Sequence, residues 1–234
     1  MLALKSTNAS GRIDQDMTQQ QPDAKTTATT LHVMELFPTP VFVAQTHALD
    51  NDLLARQIYA IRDGEIAAGV AENLGRSNDG GYRTYDLVQR PGFDALKRLI
   101  LATVNDHMVK GKWFAEPEVT PSQLGAMWGV VNGKGHANST HNHPHSWISG
   151  VYYVKVPVEA ARAGSITFRD PNLARTYTRS FYRSVQSEVL SITPLAGKMV
   201  MFPSWCEHFV TSNQTDEDRI SIAFNINHMT GAIR

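Results

Sequence analysis

The chain is poor in cysteine, in net charge and in long apolar runs, and each shortage narrows what it does. Cys206 is the one cysteine in 234 residues. No internal disulfide can form, and a lone thiol suits a reducing compartment. Free cysteine is a small and usually buried hydrophobe, so Cys206 reads as a packing residue rather than an exposed nucleophile. The 22 basic and 22 acidic residues cancel, leaving no net field to draw the chain to nucleic acid or to an anionic membrane. No stretch approaches the ~18 apolar residues of a membrane span. The opening Met1-Leu2-Ala3-Leu4-Lys5 lacks an apolar segment of signal-peptide length. The expectation is a soluble cytoplasmic protein whose partner is a small molecule or a peptide, with no nucleic acid and no membrane.

Residues 1–30 are rich in Gln, Thr, Ser, Asp and Ala and carry few large apolar side chains. Such a segment cannot bury enough surface to offset chain entropy and reads as a flexible tail. The remainder, residues 31–234, is expected to form a single domain. Its first half has helical periods. Leu53, Leu54, Ile58, Ile61 and Ile66 suggest a helix over residues 51–68, and Phe93, Leu96, Leu99, Ile100, Val104 and Met108 suggest a second over residues 91–114. After Pro121 the pattern changes to short β-like runs, separated by Pro, Gly, Asn and Asp. Helices followed by at least six strands give an α+β fold with a β-barrel core over about residues 122–228.

Against this background the histidines stand out. His136, His141, His143 and His145 are four of the nine and fall within ten residues. In an extended strand, residues two apart share a face, so His141 and His143 can present imidazoles to one point. His208 lies in a later strand-like stretch. Two close imidazoles and a third from a distant strand are a metal-ligand set that leaves coordination positions open. Pro144 should end the strand before His145, and His136 falls in a Gly-rich turn, so both are expected outside the ligand set. Asp170, in an Asp-Pro turn, and Glu207, on the opposite strand face from His208, are poorer carboxylate candidates.

The last strand alternates cleanly. Ile220, Ile222, Phe224 and Ile226 interleave with Arg219, Ser221, Ala223, Asn225 and Asn227. The polar face either meets water, with Arg219 paired to Asp216, Glu217 or Asp218, or lines an anion-binding barrel while the apolar face packs under helices. Pattern alone allows both. Residues 73–85 and 172–187 read as loops over the barrel mouth, with Arg175, Arg179 and Arg183 in the second.

These stretches together resemble a known family. They are His141 through Ser149-Gly150-Val151-Tyr152-Tyr153-Val154, Phe168-Arg169-Asp170-Pro171, Pro194 to Val210 with Phe202-Pro203-Ser204 and His208, and Asp218-Arg219-Ile220-Ser221-Ile222 with Phe224-Asn225. The chain from about residue 32 to residue 228 resembles the Fe(II)/2-oxoglutarate-dependent oxygenases, in particular a bacterial and phage-associated branch related to prolyl hydroxylases. The opening Leu36-Phe37-Pro38-Thr39-Pro40-Val41-Phe42 resembles that branch as well. The resemblance implies a double-stranded β-helix, a cupin-like jelly roll with the N-terminal helices packed outside. It implies Fe(II) held by His141 and His208. It also implies 2-oxoglutarate as cosubstrate, its far carboxylate on Arg219 with help from Ser221 and Tyr153, and Asn225 lining the same cavity. The activity implied is hydroxylation coupled to decarboxylation of 2-oxoglutarate. One position departs. The wider superfamily has His-x-Asp or His-x-Glu where this chain has His141-Asn142-His143, so a neutral imidazole replaces an anionic ligand. That substitution keeps two alternatives open: a cupin-like three-histidine metalloenzyme that does not use 2-oxoglutarate, and a catalytically inactive binding module.

Overall fold

A computed structural model of the chain describes residues 39–70, 77–113, 118–171 and 189–227. All of them fall in one compact unit, Thr39–Arg234. The expected tail at residues 1–30, the segment to Pro38 and the whole loop over residues 172–187 carrying Arg175, Arg179 and Arg183 lie outside the described residues.

Chain order begins with β1 (Phe42–Gln45), α1 (Asn51–Ala67), β2 (Asn78–Asp79), β3 (Tyr82–Arg83) and α2 (Asp94–Thr103). Then come β4 (Leu124–Asn132), β5 (Ala137–His141), β6 (Ile148–Lys155), β7 (Ile166–Arg169), β8 (Val189–Ile192), β9 (Lys198–Pro203), β10 (His208–Val210) and β11 (Arg219–Ile226). They form a six-stranded sheet in the order β1-β9-β6-β11-β4-β3 and a five-stranded sheet in the order β2-β5-β10-β7-β8. Every strand pairing is antiparallel.

Asp50 starts α1: its carboxylate accepts the Leu53 N–H at 2.8 Å, filling one of the donors a helix N-terminus leaves open. The buried face of α1 is Leu54, Ala55 and Ile58. Leu53 and Ile66, expected on that face, are exposed, because a stripe so loosely periodic sweeps around the cylinder. The second helical segment follows its pattern more closely. Phe93, Leu96, Ile100, Val104 and Met108 are all buried. Regular α-helix ends at Thr103, and a π-helical turn, Val104–Val109, carries the last two inward.

Both helices cover the outer face of the six-stranded sheet. Leu54, Ile58, Leu96 and Ile100 pack with Met127, Tyr152, Ile220, Ile222, Phe224 and Ile226 in one continuous core. Gly150 on β6 sits over the Phe224 ring, where any side chain would collide with it. The sheet's inner face joins a second cluster, Tyr153, Ile166, Phe168, Val200, Phe202 and Cys206, which fills the space between the sheets. Cys206 is buried there. Neighbouring tyrosines on β6 therefore part company. Tyr152 points outward and donates its hydroxyl to Asn51 at 2.7 Å, while Tyr153 points into the barrel. Among the described residues, no helix is long and apolar enough to cross a membrane.

Candidate metal centre

Strand register brings two of the histidines together. His208 on β10 pairs directly with His141 on β5 and, on its other side, with Phe168 on β7. β5 ends at His141, so His143 is not a strand residue. It is held by its backbone, whose N–H donates to the Ser204 carbonyl at 2.9 Å in the turn between β9 and β10. His141 and His143 thus come together, but not as i, i+2 residues of one strand, since the strand ends at His141.

The candidate ligand nitrogens of His141, His143 and His208 all lie within 4.8 Å of one another. Ring centroids are 4.3 Å apart for His141 and His208, 5.1 Å for His141 and His143, and 5.3 Å for His143 and His208. Two of the rings are oriented by backbone carbonyls. His141 Nδ1 lies 2.7 Å from the Ser139 oxygen and His208 Nδ1 lies 2.9 Å from the Cys206 oxygen. A carbonyl can only accept, so each Nδ1 carries the proton and each Nε2 offers a lone pair. The edge of Phe202 packs on His208 at 4.7 Å.

Protonation is suppressed at all three rings. Burial, then the charges of His208, His141 and Arg83, pushes His143 down to about 3. Burial, then His141, pushes His208 down to about 4 against the pull of the Cys206 carbonyl. Burial also lowers His141, opposed by the Ser139 carbonyl. Three neutral, converging imidazoles are the donor set a divalent transition metal takes.

His145 adopts a left-handed backbone, φ 72°, and is outside the cluster. His136 accepts the Gly133 N–H at 3.0 Å and is also outside it. Glu207 is exposed, and neither it nor Asp170 joins the histidines.

From the metal end a narrow cavity of about 70 Å³ runs between the sheets, lined by His208, Phe202, Ile166, Tyr153, Ser221 and Arg219. Arg219 is 2% exposed, so it is an interior arginine and not a surface partner of the nearby acids. Its Nη1 donates to the Gly164 and Ala163 carbonyls at 2.8 and 3.3 Å. Gly164, at φ +86°, is needed there, because a side chain would strike the guanidinium. Arg219 Nε is buried with no hydrogen-bond partner. Such an orphan donor costs about 1–3 kcal/mol until an acceptor reaches it. Burial lifts the Tyr153 phenol to about 12 despite Arg219 beside it, so it stays a neutral donor.

A larger cavity of about 560 Å³ opens on the other side of His141 and His143. Asn225 belongs to it and accepts from the Ser149 hydroxyl at 2.9 Å. Six residues of strand separate Asn225 from Arg219, about 20 Å. The two therefore share a face but cannot hold the same small carboxylate. Sequence reasoning missed Trp128, Ser149, Ser204 and Arg83 around the site. Trp128 lies in a recognisable strand without a mark of function. Arg83 lies on a two-residue strand too short to show a period.

The fold and site define a class: a double-stranded β-helix with a cluster of three histidines that could hold a metal ion inside one mouth. Residues 126–225 match the family model described as putative 2OG-Fe(II) oxygenase. A prolyl-4-hydroxylase from Pseudomonas putida superposes with a TM-score of 0.56 at 14% identity, over 81% of this chain and 94% of that one. A Trichoplax adhaerens prolyl hydroxylase, solved with a hypoxia-inducible-factor peptide, gives 0.53 at 14% over 80% and 83%. HygX from Streptomyces hygroscopicus, solved with nickel and 2-oxoglutarate, gives 0.51 at 13% over 82% and 84%. No curated protein matches in sequence. Over residues 126–225 the chain is similar to the putative 2OG-Fe(II) oxygenases, and the likeness to the solved structures is one of fold.

Proposed function

We propose that the chain is a non-haem Fe(II)/2-oxoglutarate-dependent dioxygenase. In this reading His141, His143 and His208 hold the metal, and Arg219, Ser221 and Tyr153 hold the cosubstrate. The observation that carries it is Arg219: a buried guanidinium with an unsatisfied Nε, in the same narrow cavity as the three imidazoles. Metal and 2-oxoglutarate, once bound, supply oxidative decarboxylation to succinate and CO₂ coupled to oxidation of a substrate C–H bond.

The protein's own part is placement. The Ser139 and Cys206 carbonyls fix the tautomer and aim of two ligands. Arg219 receives the far carboxylate as a charge-assisted pair, and Ser221 and Tyr153, which line the same cavity, add neutral hydroxyl donors. Phe202, Phe168 and Ile166 keep water from that end. Asn225 belongs to the mouth, with the substrate. The imidazole His143, in place of a carboxylate, is the one feature that favours a three-histidine metalloenzyme without cosubstrate. Arg219 counts against that alternative, since such an enzyme has no use for a buried, half-satisfied guanidinium. A ferrous site and one buried thiol fit a reducing compartment, and we assign the enzyme to the cytoplasm.

The test is anaerobic titration of the Fe(II)-loaded protein with 2-oxoglutarate, followed by metal-to-ligand charge-transfer absorption. A saturable band in wild type that weakens in Arg219→Leu supports the assignment. A band that is absent, or unchanged in the variant, refutes it.

A further inference from the structure

Three side chains beside the larger cavity form a hydrogen-bonded chain with a fixed direction. β6 lies between β9 and β11, so Ser149 pairs with Phe202 on one side and Asn225 on the other. Ser204 follows directly after β9. Ser149 and Ser204 are each 1% exposed, and their hydroxyl oxygens lie 2.8 Å apart. The Ser149 hydroxyl also lies 2.9 Å from Asn225 Oδ1.

A hydroxyl has one hydrogen to donate, and an amide has a donor end and an acceptor end. The chain can therefore run in two directions. In one, Ser204 donates to Ser149 and Ser149 donates to the Asn225 carbonyl, so both hydroxyl hydrogens are used. In the other, the amide is turned over and its N–H donates to Ser149, which donates to Ser204. The buried Ser204 hydroxyl then has no acceptor among the described residues, which is the costlier arrangement. The chain runs from Ser204 to Asn225, and it pins the carboxamide with its oxygen toward the protein.

The consequence falls on the other end of the amide. Asn225 Nδ2 donates to no acceptor among the described residues, and it is not sealed from solvent. Its two N–H groups meet the cavity of about 560 Å³ that Asn225 lines together with His143. Ala126, the β4 partner of Asn225, lines the same cavity and has only a methyl group to obstruct the amide. The Ser204 carbonyl also accepts the His143 N–H at 2.9 Å, so one turn anchors both the third imidazole and these donors. Open donors held by buried hydroxyls are suited to orienting a substrate oxygen. Asn225 carries no charge, so its best partner is a neutral carbonyl rather than an anion, which gains more from a charged donor.

We propose that Asn225 is a specificity-determining residue that donates to a neutral carbonyl oxygen of the primary substrate, on the His143 side of the metal centre. The inference rests on the oxygenase reading in taking the larger cavity as the substrate's side. The test titrates the Zn(II)·2-oxoglutarate protein, diamagnetic and stable in air, with cyclopentanone, 2-pyrrolidinone and the acceptor-free methylenecyclopentane. The side-chain amide of Asn225 is followed by NMR in ¹⁵N-labelled protein and assigned by its loss in Asn225→Asp. At least one carbonyl probe should bind about threefold or more tightly than the hydrocarbon, the size of one neutral hydrogen bond. That probe should also move the Asn225 amide protons downfield. Comparing the two carbonyl probes tells ketone from amide. Asn225→Asp keeps an acceptor for Ser149 and removes both donors, so it should erase the preference while zinc content and melting temperature hold. Ser149→Ala frees the amide to turn and should keep only part of the preference. The amide shift is read in wild type, so it stands whether or not a variant folds. Equal binding of all three probes, no binding of any, an unmoved amide, or a preference that survives in Asn225→Asp would overturn the inference. A carbonyl preference in a protein whose ferrous form shows no charge-transfer band would count against the oxygenase reading alone.

Discussion

The two faces of β11 are built from one strand and serve opposite ends. Ile220, Ile222, Phe224 and Ile226 are fully buried under the helices in a core that is apolar and close-packed. Arg219, Ser221, Ala223 and Asn225 look into the barrel, where Arg219 is almost as deeply buried as the apolar residues yet carries a charge and an unpaired donor. One face gains free energy by excluding water. The other gives some up, because an unsatisfied buried guanidinium is unfavourable until a ligand arrives. The neighbouring strand repeats the division in Tyr152 and Tyr153. Burial alone therefore does not separate scaffold from site in this molecule; what separates them is whether the buried polar atoms are satisfied.

Substitutions on the two faces should separate accordingly. The largest effect belongs to Phe224→Ala on the apolar face. Deleting a fully buried ring should cost about 3–5 kcal/mol, a large part of the roughly 5–15 kcal/mol that holds a domain together. Urea midpoints should fall steeply, and metal should be lost only where the fold is lost.

Arg219→Leu, on the cavity face, should do the reverse. Affinity for 2-oxoglutarate should drop more than tenfold, about 1.5–3 kcal/mol for a charge-assisted bond. Metal content by elemental analysis should hold, and the urea midpoint should not fall. A marked loss of stability would mean that the guanidinium serves the scaffold, and the contrast between the faces would fail.

A third effect follows from the imidazoles on the cavity side. Burial depresses His143 to about 3 and His208 to about 4, below the ordinary value of 6.5 they regain on unfolding. In that interval the unfolded chain takes up protons the folded one refuses. Stability of the metal-free protein should thus be complete above pH 6.5 and decline as pH falls toward 4. Added Zn(II) should offset the decline near pH 6, because it binds only the folded site. Thermal melts across this range, with and without metal, provide the check.

The smallest effect is that of Ser221→Ala. Loss of one neutral hydrogen bond, about 0.5–1.5 kcal/mol, should weaken 2-oxoglutarate binding severalfold and leave melting unchanged. An effect as large as that of Arg219→Leu would show that Ser221 acts on the guanidinium and not on the cosubstrate.

Much of this was readable in advance, for reasons that differ by residue. The alternation in β11 is legible because a strand has a period of two, but the side facing water is not. That required knowing that α1 and α2 cover the apolar face. The second helical segment was legible in its inward residues and not in its geometry, since a π-turn changes the hydrogen bonding while Val104 and Met108 stay on one side. His141 and His208 could be paired from motif and resemblance, yet their cross-strand register is a tertiary fact. His143 reached the cluster by a backbone bond to Ser204, which no local pattern encodes. Arg83 was invisible, because a two-residue strand has no period and its meaning lies in Trp128, forty-five positions away. Of the mouth loop expected over residues 73–85, residues 73–76 lie outside the described residues, and Asn78–Asp79 and Tyr82–Arg83 are paired strands rather than loop.

The most direct test of the central claim is succinate formation from 2-oxoglutarate by the Fe(II)-loaded protein, measured alongside His143→Ala and His143→Asp. Wild type is expected to release succinate, His143→Ala to lose both metal affinity and turnover, and His143→Asp to retain or raise turnover without added substrate. A wild-type protein that binds iron and forms no succinate, beside an Asp variant that does, would contradict the account: the three-histidine site would bind metal without working as an oxygenase.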